Sequence, residues 1–210
     1  MVSDREKHWN KVYEKGEITR LGWYEEKAEQ SLGLINTCGL HPSDCILDVG
    51  SGATTLLGSL LRAGYENIIA TDLSAVALET AKKRLGADLA ARVRWVVTDI
   101  TSPENLAAPG EVSLWHDRAV LHFLTEEEQR QAYLHTLREV VRPEGYVIIA
   151  AFSLDGAKKC SGLDVYNYDA AMLTAFLGRD FELKKAFDYI YHQPSGAARP
   201  FIYTLFRRLR

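Results

Sequence analysis

Apolar residues along this 210-residue chain fall into short runs that alternate with stripes at helical spacing. Cys45-Ile46-Leu47-Asp48-Val49 predicts a first strand and leads straight into Gly50-Ser51-Gly52. Leu56, Leu57, Leu60 and Leu61 then share a helical face, and Gly64 supplies a stop. Ile68-Ile69-Ala70-Thr71 predicts a second strand ending at Asp72. Ser74 is placed to cap the next helix, whose Leu78, Ala81 and Leu85 form one stripe that ends near Gly86. Val93 to Val97 predicts a third strand running into Thr98-Asp99, and Val112 to Trp115 a fourth. Thr125 followed three residues later by Glu128 has the form of a capping box. The helix it opens carries Tyr133, Leu137, Val140 and Val141 on one face. Pro143-Glu144-Gly145 turns the chain into Tyr146 to Phe152, a nearly unbroken apolar strand. Such strands belong in the middle of a parallel sheet covered on both faces.

The alternation predicts an α/β fold with a Rossmann-like, doubly wound sheet. Two later runs, Phe181 to Tyr191 and Phe201 to Phe206, are rich in aromatic and β-branched residues. Joined through His192-Gln193-Pro194-Ser195-Gly196, they predict an antiparallel hairpin closing one edge. The first forty residues predict helices laid over the opposite rim. No repeat, low-complexity tract or Pro/Gly-rich linker divides the chain. One domain is expected, with residues 1–43 as an N-terminal helical cap and 44–210 as the core.

Composition narrows the function. Hydrophobic residues make up 47% and charged residues 25%, with a net charge of −3, which excludes a disordered chain. No apolar run approaches the roughly 20 residues of a membrane span. The charged start MVSDREKHWN lacks the apolar centre of a secretory signal, so a cytoplasmic protein without a membrane partner is expected. Mild acidity argues against nucleic acid, whose backbone recruits clustered basic charge. Arg207, Arg208 and Arg210 read as a solvated terminus. Cys38, Cys45 and Cys160 are odd in number and show no C-x-x-C spacing, so neither a disulfide framework nor a metal site is expected.

In open α/β sheets, ligands sit beyond the carboxyl ends of the strands. The first such end here is Asp48-Val49-Gly50-Ser51-Gly52. A dinucleotide needs its pyrophosphate on a G-x-G-x-x-G loop, but the third glycine position is Thr55. Asp48 would also repel a phosphate. S-adenosyl-L-methionine carries no phosphate; it carries an ammonium and a sulfonium, which an acid beside the loop suits. Asp72 can accept both ribose hydroxyls, and Asp99 can accept from an adenine amino group. Leu73 and Ile100, next to these acids, and Ser51 in the loop complete the candidate core contacts. Taken singly, each acid reads equally as a cap or a turn residue. Three acids closing three successive strands at one sheet edge argue for a nucleoside site.

Asp48-x-Gly50-x-Gly52, Asp72 and Asp99 resemble the successive motifs of class I S-adenosylmethionine-dependent methyltransferases, over roughly residues 44 to 152. The resemblance implies a seven-stranded sheet of order 3-2-1-4-5-7-6 whose last strand runs antiparallel. It also implies that the glycine loop holds the methionine end of the cofactor, Asp72 the ribose and Asp99 the adenine. The Asn/Asp-Pro-Pro-aromatic motif of amide and nucleobase N-methyltransferases is absent after the fourth strand. Asp117-Arg118-Ala119 instead resembles the Asp-Arg-Gly/Ala segment of thiopurine-type S-methyltransferases. Trp9-x3-Tyr13-x2-Gly16 is similar to the tryptophan-rich N-terminal segment of that group, with Tyr13 where a second Trp is usual. Methyltransferases of protein lysines show Asp-Lys-Gly at this place.

A small-molecule acceptor is therefore expected, with a thiol as one candidate. A protein lysine is the alternative acceptor, and a non-catalytic nucleoside-binding module the alternative class. Arg118 could contact the cofactor carboxylate or favour an anionic acceptor, but cannot be a base at neutral pH. For an amine or hydroxyl acceptor, His116 and His122 are the candidate bases, with a structural role as the plainer reading; His116 is also a candidate cofactor contact. Cys160 could face the acceptor. Trp9, Tyr13, Trp23 and Tyr24 could lid the cofactor and screen its sulfonium, or form the apolar face of a packing helix.

Overall fold

The computed structural model describes residues 3–15 and 17–210. Parallel strands β1 (Ile46–Val49), β2 (Ile68–Asp72), β3 (Val93–Val97), β4 (Val112–Arg118) and β5 (Val141–Phe152) are followed by the two-residue strands β6 (Lys159–Cys160) and β7 (Leu163–Asp164). The closing hairpin is β8 (Phe181–His192) and β9 (Ala198–Arg208). The main sheet runs β3-β2-β1-β4-β5-β9-β8, while β6 and β7 pair only with each other. With that small pair set aside, this is the expected order, and β9 is antiparallel to β5.

The alternation of side chains across the strands builds two buried layers. Leu47, Ile69, Trp115, Val147 and Ile149 face Tyr133, Leu137 and Val140 of helix α6 (Glu127–Val140) and Leu173 and Leu177 of helix α7 (Ala170–Leu177). Ile46, Ile68, Leu114 and Ile148 face Leu34 and Ile35 of α2 (Glu29–Thr37) and Leu56, Leu57, Leu60 and Leu61 of α3 (Leu56–Arg62). Helix α4 (Ala75–Leu85) starts at Ser74, whose Oγ accepts from the Ala77 amide at 3.1 Å, and α5 (Ala87–Ala90) adds one turn before β3.

Several local expectations shift. The N-terminal cap divides: α2 belongs to one helical layer, whereas α1 (Asp4–Lys15) packs on α4, where Asn10 accepts from the Ser74 hydroxyl at 2.7 Å. Strand β4 continues three residues past Trp115, because His116, Asp117 and Arg118 all find polar partners inside the fold. Strand β5 starts directly after α6 and absorbs Pro143-Glu144-Gly145 as an irregularity, with Glu144 at a φ of 63°. Thr125 does not cap α6; Glu126 occupies that position without a side-chain cap bond, and Arg130 holds the Leu124 and Thr125 carbonyls instead. Among the described residues no helix is long and apolar enough to cross a membrane.

Candidate active site

The chain order reverses between β1 and β4, which opens a crevice at their carboxyl ends. Gly50 and Gly52 turn the chain there with φ of 58° and 52°. A Cβ at Gly50 would overlap the Val120 side chain, and one at Gly52 the Tyr13 hydroxyl, so both close approaches require glycine. Gly16, the last residue of the N-terminal motif, lies outside the described residues. Asp72 braces the loop: one carboxylate oxygen accepts from the Gly52 amide and the other from the Ser74 amide, each at 2.8 Å. Burial outweighs these bonds and pushes its carboxyl up to about 6.

Two cavities flank this loop. The first, about 580 Å³, is lined by Asp48, Gly50, Ser51, His116, Arg118, Glu25 and Ser31 among others. His116 Nδ1 lies 2.7 Å from Asp48 Oδ1, and its Nε2 lies 2.8 Å from Ser31 Oγ. Arg118 Nε pairs with Glu25 at 3.1 Å and donates to the Tyr203 hydroxyl at 3.0 Å; its Nη1 donates to the Trp23 carbonyl. The Asp48 Oδ2 and Arg118 Nη2 atoms are buried and have no hydrogen-bond partner among the described residues.

The second cavity, about 830 Å³, brings together Asp72, Leu73, Asp99, Ile100, Gly50, Arg118 and Cys160. Its roof is aromatic. Trp9 stands edge-on to Trp23 at 5.5 Å and to Phe123 at 5.1 Å, and the Trp23 ring N–H donates to the Tyr13 hydroxyl at 3.2 Å. Asp99 accepts from the amide and hydroxyl of Thr101, at 2.9 and 2.7 Å, through one oxygen only.

A family model described as a methyltransferase domain matches residues 46–145, the segment that carries the loop and the strand-end acids. The chain is 24% identical to EEF1A lysine methyltransferase 2 of Danio rerio, covering 69% of this chain and 66% of that protein. The fold is similar to a SAM-dependent methyltransferase from Anabaena variabilis, with TM-score 0.76, 16% identity and coverage of 97% and 93%. It is also similar to the N-methyltransferase NodS of Bradyrhizobium japonicum in complex with S-adenosylhomocysteine, with TM-score 0.72, 13% identity and coverage of 99% and 100%. Residues 46–145 thus match a methyltransferase domain, and the chain shares the fold of S-adenosylmethionine-dependent methyltransferases. The aligned segment spans just under two thirds of the curated relative.

The residues at these strand ends fit S-adenosylmethionine. The two unpartnered buried atoms, one on a carboxylate and one on a guanidinium, belong to residues lining the same cavity. They are the complements of the ammonium and carboxylate of an amino acid. Asp72 and Asp99 both line the adjoining cavity, and carboxylates there are acceptors of the kind that hydroxyls and an amino group require.

The histidines are not placed as bases. His116 is 3% exposed and has both ring nitrogens engaged. His122 is fully buried, lines neither cavity, and burial with the nearby Arg118 charge pushes it down to about 3. Asp117 is also structural: it accepts from the Val120 and Leu121 amides and the Tyr133 hydroxyl. Sequence reading missed Glu25, Ser31 and Tyr203, which carry no local motif and reach the site only through tertiary contact. The one local signal was the acid at Glu25 beside Trp23-Tyr24.

Proposed function

We propose that this methyltransferase transfers its methyl group to a small molecule whose acceptor atom arrives already ionised, a thiol meeting that condition best. The observation that carries this reading is the cluster of Trp9, Tyr13, Trp23 and Phe123, whose packed rings line the second cavity beside the strand ends. A cavity lined in this way offers apolar contact to a small, free molecule. When bound, S-adenosylmethionine supplies an electrophilic methyl group on a sulfonium. The second carboxylate oxygen of Asp48 would accept from its ammonium, and Nη2 of Arg118 would donate to its carboxylate. Asp72 would accept from the ribose hydroxyls and Asp99 from the adenine amino group. Gly50, Ser51 and Gly52 admit the methionine end, and Leu73 and Ile100 form apolar walls.

The chain then has three tasks: to align acceptor and methyl group, to exclude water, and to screen the positive sulfur with aromatic faces. Among the described residues lining the two cavities, His116 is the one imidazole and there is no lysine. An acceptor that needs a strong base is therefore poorly served, whereas a thiolate needs none. Burial pushes the Cys160 thiol up to about 11, so it stays protonated at neutral pH and does not compete as a nucleophile.

Transfer to a protein lysine is the second reading, supported by the similarity to EEF1A lysine methyltransferase 2. Incubation with methyl-labelled cofactor and a cell extract, then separated into protein and small-molecule fractions, decides between them. Label is expected in the small-molecule fraction, increased by added thiols. Label confined to a protein band would overturn the proposal.

A further inference from the structure

Asp48 and His116 are register partners on the adjacent parallel strands β1 and β4, so their side chains leave the same face of the sheet side by side. The imidazole stands between two groups, with Asp48 Oδ1 2.7 Å from Nδ1 and Ser31 Oγ of helix α2 2.8 Å from Nε2. All three residues are buried, at 3%, 3% and 1% exposure for Asp48, His116 and Ser31. A general base needs a free lone pair within reach of its substrate. His116 has none to offer.

The arrangement does something else. A carboxylate at the end of a short side chain can rotate, and among the described residues nothing but His116 bonds that of Asp48. The imidazole takes one oxygen and leaves the other without a partner, in a residue that lines the cavity shared with Arg118 and Glu25. A buried, unpartnered carboxylate oxygen is unfavourable until a donor arrives, and a cationic donor relieves it most. Ser31 in turn fixes the imidazole from the far side and ties this alignment to helix α2.

We propose that His116, backed by Ser31, is a positioning residue for the amino-acid end of the cofactor. It acts through Asp48, by holding that carboxylate with its second oxygen turned to the ammonium. The proposal rests on the Asp48–ammonium contact inferred above and is independent of which acceptor the enzyme uses.

The test compares two ligands that share a nucleoside. S-adenosylhomocysteine carries the amino-acid end, and 5′-methylthioadenosine lacks it. In His116→Leu, affinity for S-adenosylhomocysteine is expected to fall at least about tenfold, the scale of a lost charge-assisted hydrogen bond, while that for methylthioadenosine stays within about twofold. His116→Asn keeps a donor near the Nδ1 position and is expected to restore most of the loss. Ser31→Ala is expected to shift the same ratio by a smaller factor, and it carries the test with His116→Asn if the leucine variant does not fold. Equal weakening of both ligands would reduce His116 to a structural residue, and an unchanged ratio would remove its role; either result overturns the proposal. Asp48→Asn separates the two ideas. If it leaves the ratio unchanged, the Asp48–ammonium contact itself is wrong; if it lowers the ratio and His116→Leu does not, only the positioning role fails.

Discussion

Asp72 clamps the glycine loop to the start of α4 through two amides and lines the second cavity; in the proposed function it has a second job there, accepting from the ribose hydroxyls. Its titration near 6 makes that second job pH-dependent. Cofactor affinity is expected to be flat above about pH 7 and to fall below about pH 6, as the acceptor becomes a protonated acid. The slope should disappear in Asp72→Asn, which binds more weakly at all pH values; a fluorescence or calorimetric titration from pH 8 to 5 checks both. Stability moves the other way. Asp72 and Asp117 both titrate at about 6 in the folded chain against 3.8 ordinarily, so the folded state binds more protons between those values. Their contribution to the stability of the ligand-free protein therefore rises as pH falls through that window. At this scale the sequence was legible where an acid stands near the carboxyl end of a strand: Asp72 ends β2, Asp48 comes one residue before the end of β1, and Asp99 two residues after β3. It was silent on Glu25, Ser31 and Tyr203, since nothing in their local pattern says that an arginine and a histidine far along the chain will meet them.

Helix α1 is joined to α4 by a shared cap, because the Ser74 hydroxyl accepts from Ala77 and donates to Asn10. Ser74→Ala removes both bonds and is expected to cost about 1 kcal/mol or more of stability, read from urea unfolding. Asn10→Ala removes only the link between helices and should cost less. The double variant is expected to be less destabilised than the sum of the two, since both remove the same bond; strict additivity would contradict the link. Elements were readable where periodicity and capping chemistry agreed, as at Ser74. They were misjudged where a distant side chain took over a local task. Arg130 holds the carbonyls ahead of α6 in place of a Thr125 cap, and buried partners let β4 extend through the polar run His116-Asp117-Arg118. The short helix α7 and the β6–β7 pair carried too little pattern to be seen.

Across the whole molecule, the reversal of strand order and the placement of charge coincide. The crevice between β1 and β4 holds an acid and a guanidinium that each leave one atom without a partner among the described residues, and the aromatic rings beside it come from Trp9, Tyr13 and Trp23 near the N-terminus together with Phe123. That combination suits a zwitterionic, hydroxyl-rich ligand without phosphate, and it disfavours a dinucleotide. The most direct test is calorimetric titration of the ligand-free protein with S-adenosylhomocysteine and, separately, with NAD. One S-adenosylhomocysteine site per chain and no heat from NAD are expected. Binding of NAD with no binding of S-adenosylhomocysteine would contradict the account.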